Sequence, residues 1–283
     1  MARSKDKLRL LTLNTHSLME EDNAFCLRTL ADAIVREDVD VVALQEVNQS
    51  ADAREAEAER LRASRFVPCE SEAPIRADNF ALTLSELLRE SGAPFYWTWA
   101  YAHRGYRVYE EGVALLSRAP VTGVDAVCVS TPKGRCRRKI AGIRTQALCG
   151  DGWFYCVHMG WWKDEEDPFA GQWVRFVQSR GKRLEPAYLM GDFNSPAHVR
   201  GEGYDLVVAS GWEDCFLRAA ERDAGATVGG QIDGWRKEKV DPMRIDFAFA
   251  AQPGATRSSR VIFNGDFYPV ISDHYGVLTE DGR

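Results

Sequence analysis

The 283-residue sequence predicts an α/β fold in which two sheets pack face to face and helices cover their outer surfaces. The chain opens with a strand–helix–strand pattern, its middle is rich in strand-like runs, and both patterns mix up to the C-terminus. No clear linker, internal repeat or low-complexity tract divides the chain. We therefore predict a single domain over residues 1–283.

Apolar spacing defines the opening unit. Residues 8–13 and 41–45 are short apolar runs that predict strands, and residues 23–36 carry apolar side chains at helical spacing. Residues 51–65 are rich in Ala, Glu and Arg, which indicates an exposed helix or a solvated segment.

The rest of the chain continues with a helix at residues 79–89, for which Asp78 is the candidate N-cap. Gly, Pro or charged turns separate the predicted strands, which cover residues 96–101, 111–117, 121–130, 139–147, 153–157, 186–190, 245–250, 259–263 and 275–278. Two further helices are predicted at residues 167–179 and 204–210.

Composition narrows the class of protein. A formal charge of −6 and a pI near 5.5 give no overall attraction to nucleic acid or anionic membranes, although a local basic patch would suffice. Seven cysteines without a CxxC pair argue against zinc or a disulfide framework, so we expect reduced thiols and a cytoplasmic protein. We see no signal peptide and no apolar stretch of about 20 residues that would span a membrane.

Polar residues end the apolar runs. Asn14, Glu46 and Asp192 each follow a predicted strand, and Asp273 stands beside His274 near the C-terminus. A hard divalent cation prefers oxygen ligands, which makes Glu46, Asn14 and Asp273 candidate metal ligands. For any single strand-end Glu, the commoner interpretation is a side chain facing water. Support for a metal site therefore comes from the whole set of polar strand ends and not from any one residue. These residues can meet only if their strands share one core.

The segment from Gly191 to Asn194 is the sharpest local signal. Gly191 allows close approach of another backbone, and the side chains of Asp192 and Asn194, two residues apart, share one face. A carboxylate there can orient or deprotonate a water molecule, and the amide can hold a phosphoryl oxygen. The alternative is a turn rich in Asp and Asn.

Two histidines complete the candidate catalytic set. An imidazole at a phosphate site works best when a buried carboxylate orients it, and Asp246, among apolar neighbours, is the candidate partner of His274. His158 ends an apolar strand and could stabilise charge or donate a proton, with Glu111 as its supporting carboxylate. Taken alone, a strand-end His is more often structural.

Together these motifs resemble the endonuclease/exonuclease/phosphatase superfamily, which includes deoxyribonuclease I, abasic-site endonucleases and inositol polyphosphate phosphatases. The resemblance implies a four-layered α/β-sandwich and a Mg²⁺-dependent hydrolase, with Mn²⁺ as an alternative ion. It implies metal binding by Glu46 and Asn14, water and phosphate contacts from Asp192 and Asn194, and phosphoryl contacts from the two imidazoles.

Less general segments resemble the branch of this superfamily that hydrolyses maltose 6′-phosphate. These segments are residues 16–17, 20–21, 78–81, 105–112, 138–140, 160–169, 200–205 and 261–265. The candidate substrate-binding residues are Trp161, Trp162, Arg138, Asn79 and Tyr106.

Two charged runs are open to more than one interpretation. The acidic residues 164–167 could accept hydrogen bonds from sugar hydroxyls, since the nearby indoles could stack on the C–H faces of the same sugar. The alternative is that these acidic residues form a solvated loop before a helix. The basic residues 133–139 could attract an anionic substrate, or they form a solvated turn.

The sequence thus predicts a phosphomonoesterase that acts on a small phosphorylated sugar, with neither nucleic acid nor membrane as partner. A phosphodiesterase of the same superfamily is the alternative, either a nuclease or a sphingomyelinase-like enzyme. A non-catalytic binding module would require a missing ligand or imidazole, and none is missing. The oligomeric state stays open.

Overall fold

The structure is a computed structural model that describes residues 7–132, 136–146, 151–181, 185–229, 241–252 and 254–282. Its strands, in chain order, are β1 (Lys7–Asn14), β2 (Val41–Ser50), β3 (Tyr96–Gly105), β4 (Tyr109–Ser117), β5 (Val121–Cys128), β6 (Lys139–Thr145), β7 (Gly152–His158), β8 (Ala187–Asp192), β9 (Glu213–Asp214), β10 (Glu221–Arg222), β11 (Asp246–Ala251), β12 (Ala255–Ile262) and β13 (Gly276–Gly282). Its helices are α1 (Asn23–Arg36), α2 (Ala58–Ala63), α3 (Phe80–Glu90), α4 (Phe169–Arg180), α5 (Gly203–Ala209) and α6 (Cys215–Arg218).

The strands form two mostly antiparallel sheets. The first has the order β10-β12-β13-β1-β2-β4-β3, and the second has the order β5-β6-β7-β8-β11-β9. Each sheet contains a parallel pair near its centre, β1 with β2 and β7 with β8. Parallel neighbours end at the same edge, so Asn14 pairs with Gln45 in one sheet and His158 pairs with Asp192 in the other.

Three apolar clusters separate four layers, which confirms the predicted α/β-sandwich. Alternation along β1 shows why: Leu8 and Leu10 face the second sheet, while Leu11 and Leu13 pack on the helix side of the first sheet with residues of α1 and α3. A third cluster lies between the second sheet and helices α4 and α5. Full burial of each such side chain contributes about 1.5–3 kcal/mol, which favours this arrangement over any exposed sheet face.

Helix α3 corrects one boundary. Asn79, rather than Asp78, is the N-cap, because Asn79 Oδ1 accepts hydrogen bonds from the backbone N–H groups of Ala81 and Leu82 at 3.0 and 3.2 Å. The Asp78 carboxylate instead accepts from the Ser50 N–H. Both residue types cap helices, and the one-residue difference decides which side chain caps α3.

Other boundaries shift without changing the layers. The charged segment 51–65 contains the short helix α2 and otherwise irregular chain. Position 147, the end of one predicted strand, lies outside the described residues. The short elements β9, α6 and β10 carry no periodic pattern and were not predicted. Among the helices of the described chain, none combines the length and apolar character that crossing a membrane requires.

Candidate active site

The polar strand ends meet at one edge of the sandwich, where Asn14 joins the two sheets. Asn14 Nδ2 donates to Glu46 Oε1 at 2.9 Å and lies 3.2 Å from Asp192 Oδ2. Asn14 and Glu46 belong to the first sheet and Asp192 to the second. Polar strand ends that lie far apart along the chain therefore meet in the structure, as the proposed site requires.

A β-bulge directs Glu46 into this edge. The pairing of β2 with β4 shifts register between Leu44 and Val47, and Glu46 has a left-handed backbone with φ 52°. Such a conformation costs a residue with a Cβ about 1–2 kcal/mol. Strain of this kind persists where the surrounding fold enforces it, commonly at functional sites.

The segment after β8 needs its glycine. A Cβ on Gly191 would lie 1.9 Å from the Val157 carbonyl oxygen, and its φ of +150° also favours glycine. The next turn is indeed an Asp–Asn turn, because Asp192 Oδ1 accepts from the Asn194 N–H at 2.8 Å. The turn and the site are the same structure, since it holds the Asp192 carboxylate beside Asn14.

His274 and Asp246 form the predicted pair. His274 Nδ1 lies 3.0 Å from Asp246 Oδ2, and His274 Nε2 lies 3.9 Å from Asp192 Oδ2. Burial alone would lower the pKa of His274, but the charges of Asp246 and Asp192 raise it to about 10. Burial, reinforced by the charge of Asp246, raises the pKa of Asp192 to about 7, a value suited to a general base.

His158 is held by Arg138. Arg138 Nη1 lies 2.7 Å from Nε2 and 3.0 Å from Nδ1 of the imidazole. A guanidinium only donates, so at least one of these two ring nitrogens accepts from it and the imidazole is neutral. Burial and the Arg138 charge lower the pKa of His158 well below its usual value. Proton donation by His158, one of its two predicted roles, does not fit this environment.

The prediction that Glu111 supports His158 is wrong, because Glu111 lies beside a different histidine. Its Oε1 is 3.6 Å from Nε2 of His103, a residue that the sequence analysis missed. Burial, followed by the charge of Glu46, raises the pKa of Glu111 to about 8. His103 gave no sequence signal, because it lies inside a strand and ends no apolar run.

A second acidic group lies next to Glu46. Ligand atoms of His16, Glu20 and Asp273 all lie within 4.8 Å of one another, and His16 Nδ1 is 2.9 Å from Glu20 Oε1. Burial lowers the pKa of His16, but Asp273, Glu20 and Glu46 together raise it. Asp273, predicted as a metal ligand, belongs to this group. His16, two residues after Asn14, could have been found from that spacing.

This donor set fits a divalent cation. Carboxylate oxygens from Glu46, Glu20 and Asp273 with an imidazole nitrogen are ligands that Mg²⁺ or Mn²⁺ accepts. The buried group of Asp192, Asp246 and His274 offers a second set within 4.8 Å. Asp246 Oδ1 is buried and has no hydrogen-bond partner among the described residues.

The catalytic residues line an open cavity of about 320 Å³ at this edge of the two sheets. Asp192 and His274 are buried and Glu46 is half-buried, so these polar side chains form its floor. Tyr106 is exposed and Trp161 is half-buried, so these two residues, both predicted to bind substrate, form its rim. The cavity lining includes Glu46, His103, Arg104, Gly105, Tyr106, Glu111, Cys136, Arg138, His158, Trp161, Asp192, Asn194 and His274.

Comparison with known proteins agrees with this geometry. The model of the Endonuclease/Exonuclease/phosphatase family matches residues 11–274. The chain belongs to this family. It is therefore a phosphoesterase, and the enzymes of the family typically depend on divalent metal ions. No curated protein matches the sequence.

Solved structures of the family share the fold. A family protein from Leptotrichia buccalis C-1013-b is 27% identical with a TM-score of 0.82, covering 98% of this chain and 99% of its own. A member from Beutenbergia cavernae DSM 12333 is 20% identical with a TM-score of 0.67, covering 97% of this chain and 71% of its own. A mannosyl-6-phosphatase from Bacteroides thetaiotaomicron VPI-5482 is 16% identical with a TM-score of 0.62, covering 96% of this chain and 98% of its own.

Three predicted substrate-binding residues line the cavity of this family member, and two do not. Arg138 lies beside Trp161, with its guanidinium carbon 5.7 Å from the ring centroid. Trp162 instead packs on Phe169 at 6.2 Å. Asn79 is fully buried in its cap and donates from Nδ2 to Gln49 Oε1, so no atom of its amide is free for a substrate.

The two charged runs are largely structural. Asp164 Oδ1 accepts from the N–H groups of Glu166 and Asp167, and buried Asp167 pairs with Arg175. In the basic run, residues 133–135 lie outside the described residues. Arg137 and Lys139 both pair with Glu72, at 2.6 and 2.9 Å, so a freely solvated turn is wrong for this part.

Proposed function

We propose that this phosphoesterase is a Mg²⁺-dependent phosphomonoesterase, able to use Mn²⁺, that hydrolyses a phosphorylated sugar to sugar and inorganic phosphate. We propose maltose 6′-phosphate as its substrate. The observation that supports this is one cavity with a charged floor and an aromatic rim, formed by Tyr106 and Trp161. Indole and phenol rings stack on the apolar C–H faces of a sugar. The name of the Bacteroides structure, a mannosyl-6-phosphatase, lends support from within the family.

Each side chain of the site has a separate role in in-line hydrolysis. Asp192 takes a proton from the attacking water, because its pKa of about 7 keeps it available as a base near neutral pH. His274 is a cation at that pH and donates Nε2–H to a phosphoryl oxygen, while Asp246 fixes its orientation. The Arg138 guanidinium neutralises a second phosphoryl oxygen.

A divalent cation held by Glu46 with Asp273 and His16 would add neutralisation of phosphate charge. Asn14 Nδ2 donates to the carboxylates of Glu46 and Asp192 and so bridges them, while its carbonyl oxygen is proposed as a further metal ligand. We expect no covalent intermediate, because neither Cys nor Ser lies in a nucleophile motif.

Phosphodiesters are the alternative substrates. Processive contact with DNA or RNA needs several cationic side chains along a groove, and binding then weakens steeply with salt. Of the basic residues in the described chain, Arg104 and Arg138 line this cavity, while Arg137 and Lys139 are engaged by Glu72. This arrangement favours a compact phosphomonoester over a polyanion.

An assay on phosphomonoesters and phosphodiesters tests the proposal. The enzyme is incubated with Mg²⁺ or Mn²⁺, and release of inorganic phosphate is measured with maltose 6′-phosphate, mannose 6-phosphate and glucose 6-phosphate. Strand cleavage of plasmid DNA is measured on gels, and release of phosphocholine is measured with sphingomyelin. We expect metal-dependent release from sugar phosphates, loss with EDTA, and loss in Asp192→Asn, with Asp52→Asn, an exposed loop substitution, as matched control. Cleavage of DNA or lipid without turnover of any sugar phosphate would refute the substrate proposal.

A further inference from the structure

Hydrolysis of an alkyl phosphate leaves one task unassigned, which is to give a proton to the departing sugar oxygen. His158 is neutral beside the Arg138 guanidinium, and a neutral imidazole is a poor acid because loss of its one N–H hydrogen would leave an anion. His274 is paired with Asp246 and faces Asp192 on the side of the attacking water. The proton donor therefore has to come from another part of the cavity lining.

A second bulge brings two titratable side chains to that part of the cavity. The pairing of β3 with β4 shifts register between Tyr101 and His103, which places His103 opposite Glu111. Bulges next to active sites re-aim side chains in this way. Both residues line the cavity, and neither contacts another side chain of the catalytic set at hydrogen-bonding distance among the contacts described.

Hydrogen-bonding roles fix the proton positions. His103 Nδ1 lies 3.1 Å from the carbonyl oxygen of Arg137, and a carbonyl only accepts, so Nδ1 carries a hydrogen. Nε2 faces Glu111 Oε1 at 3.6 Å. Burial, followed by the charge of Arg138, lowers the pKa of His103 to about 4, so the ring is neutral and Nε2 presents a lone pair to Glu111. The distance is too long for a hydrogen bond, and a lone pair there disfavours a carboxylate, so the contact favours a proton on the Glu111 carboxyl that Nε2 does not bind.

Arg137 holds His103 in place, and Gly105 makes room for Glu111. Arg137, whose carbonyl anchors His103, is itself held by an ion pair with Glu72 at 2.6 Å and by a hydrogen bond to the Ala102 carbonyl. Gly105 leaves room for the Glu111 carboxyl, because a Cβ at this position would lie only 3.1 Å from Glu111 Oε2. Arg137 thus fixes the imidazole of His103, and Gly105 accommodates the carboxyl beside it.

We propose that His103 is a positioning residue that keeps a proton on the Glu111 carboxyl and directs it at the leaving-group oxygen. This inference rests on the proposed phosphomonoesterase function. Water oxygen bonds to phosphorus, and the bond from phosphorus to the sugar oxygen breaks with its electron pair on that oxygen. Glu111 gives its proton to the sugar oxygen, and Asp192 takes the proton that the water loses. Solvent then returns a proton to Glu111 and removes one from Asp192.

Leaving-group dependence tests the proposal in the Mg²⁺-loaded enzyme. A sugar oxygen needs a proton to depart, whereas p-nitrophenolate is stable as an anion. We expect His103→Ala to lower kcat for a sugar phosphate about 10²-fold. The loss of kcat for p-nitrophenyl phosphate should be only about tenfold. KM stays within about twofold. His103→Gln, which keeps a donor and an acceptor, should recover part of the loss, and Glu111→Gln should show the same selectivity.

His198→Ala is the matched control, because His198 is exposed and does not line the cavity. Thermal melting curves identify any variant that fails to fold, and Glu111→Gln then carries the comparison. Equal losses on both substrates would mean a purely structural role and would overturn the proposal, as would unchanged turnover. A wild-type enzyme inactive on every phosphomonoester would overturn the proposed function and this inference with it.

Discussion

Replacing Asp246 with Asn isolates the charge of the buried His274–Asp246 pair. Asn has nearly the same shape, and its amide oxygen can still accept from His274 Nδ1 at the 3.0 Å now occupied by a carboxylate. The imidazole pKa lies at about 10 against an ordinary 6.5, a difference of about 5 kcal/mol at 1.36 kcal/mol per pKa unit. Asp246 is the largest of the charges that raise the pKa of His274, so its removal should lower this pKa.

The pH dependence of kcat/KM on a sugar phosphate reports this change. His274 acts as a cation, so activity falls as pH rises through its pKa, and this alkaline limb should move to lower pH in the variant. The Asp246 charge also raises the pKa of Asp192, so the acid limb should move in the same direction. Asp52→Asn, in an exposed loop, should move neither limb. A lower kcat/KM with both limbs unmoved would show that the pair acts by shape alone.

The remaining predictions concern stability and substrate binding. Asn79→Ala should lower the free energy of unfolding by about 1–2 kcal/mol through loss of the α3 cap, without changing KM. Asn79→Ser keeps a hydrogen-bond acceptor and should lose less stability. A raised KM in Asn79→Ala would show that Asn79 binds substrate. Gly191→Ala should unfold at much lower denaturant concentration or fail to fold, because its Cβ would lie 1.9 Å from the Val157 carbonyl oxygen. Tyr106→Gly should raise KM severalfold. Its Tm should change little, because relief of the left-handed backbone at φ 47° offsets the conformational entropy of the added glycine. An unchanged KM would exclude Tyr106 from the substrate site.

The sequence predicts the layers because strand periodicity is a local property. Leu8 and Leu10 point to one side of β1 and Leu11 and Leu13 to the other, so both faces of the strand are apolar. A strand apolar on both faces needs cover on both faces, and this requirement yields a second sheet on one side and helices on the other. The same logic places Asn14 at a strand end.

Side-chain direction outside regular strands is less predictable. Trp161 and Trp162 are adjacent and chemically alike, yet Trp161 lines the cavity and Trp162 packs on Phe169. The loop after β7 has no fixed period, so the sequence cannot distinguish the two. Asp78 and Asn79 present the same difficulty at a helix start, where the register of one residue decides which side chain caps.

Irregular backbone explains why His103 was missed and why Glu46 is so well placed. Each lies at a register shift between paired strands, and a shift of one residue exchanges the two faces of a strand. Glu46, His16 and Asn194 also have left-handed backbones, with φ of 52°, 48° and 46°. The long-range bonds of Asn14 to Glu46 and of Asn194 to the Met159 carbonyl hold two of these conformations in place. Because contacts between distant segments maintain the strain, it belongs to the assembled fold, and the carboxylates are oriented before any substrate arrives.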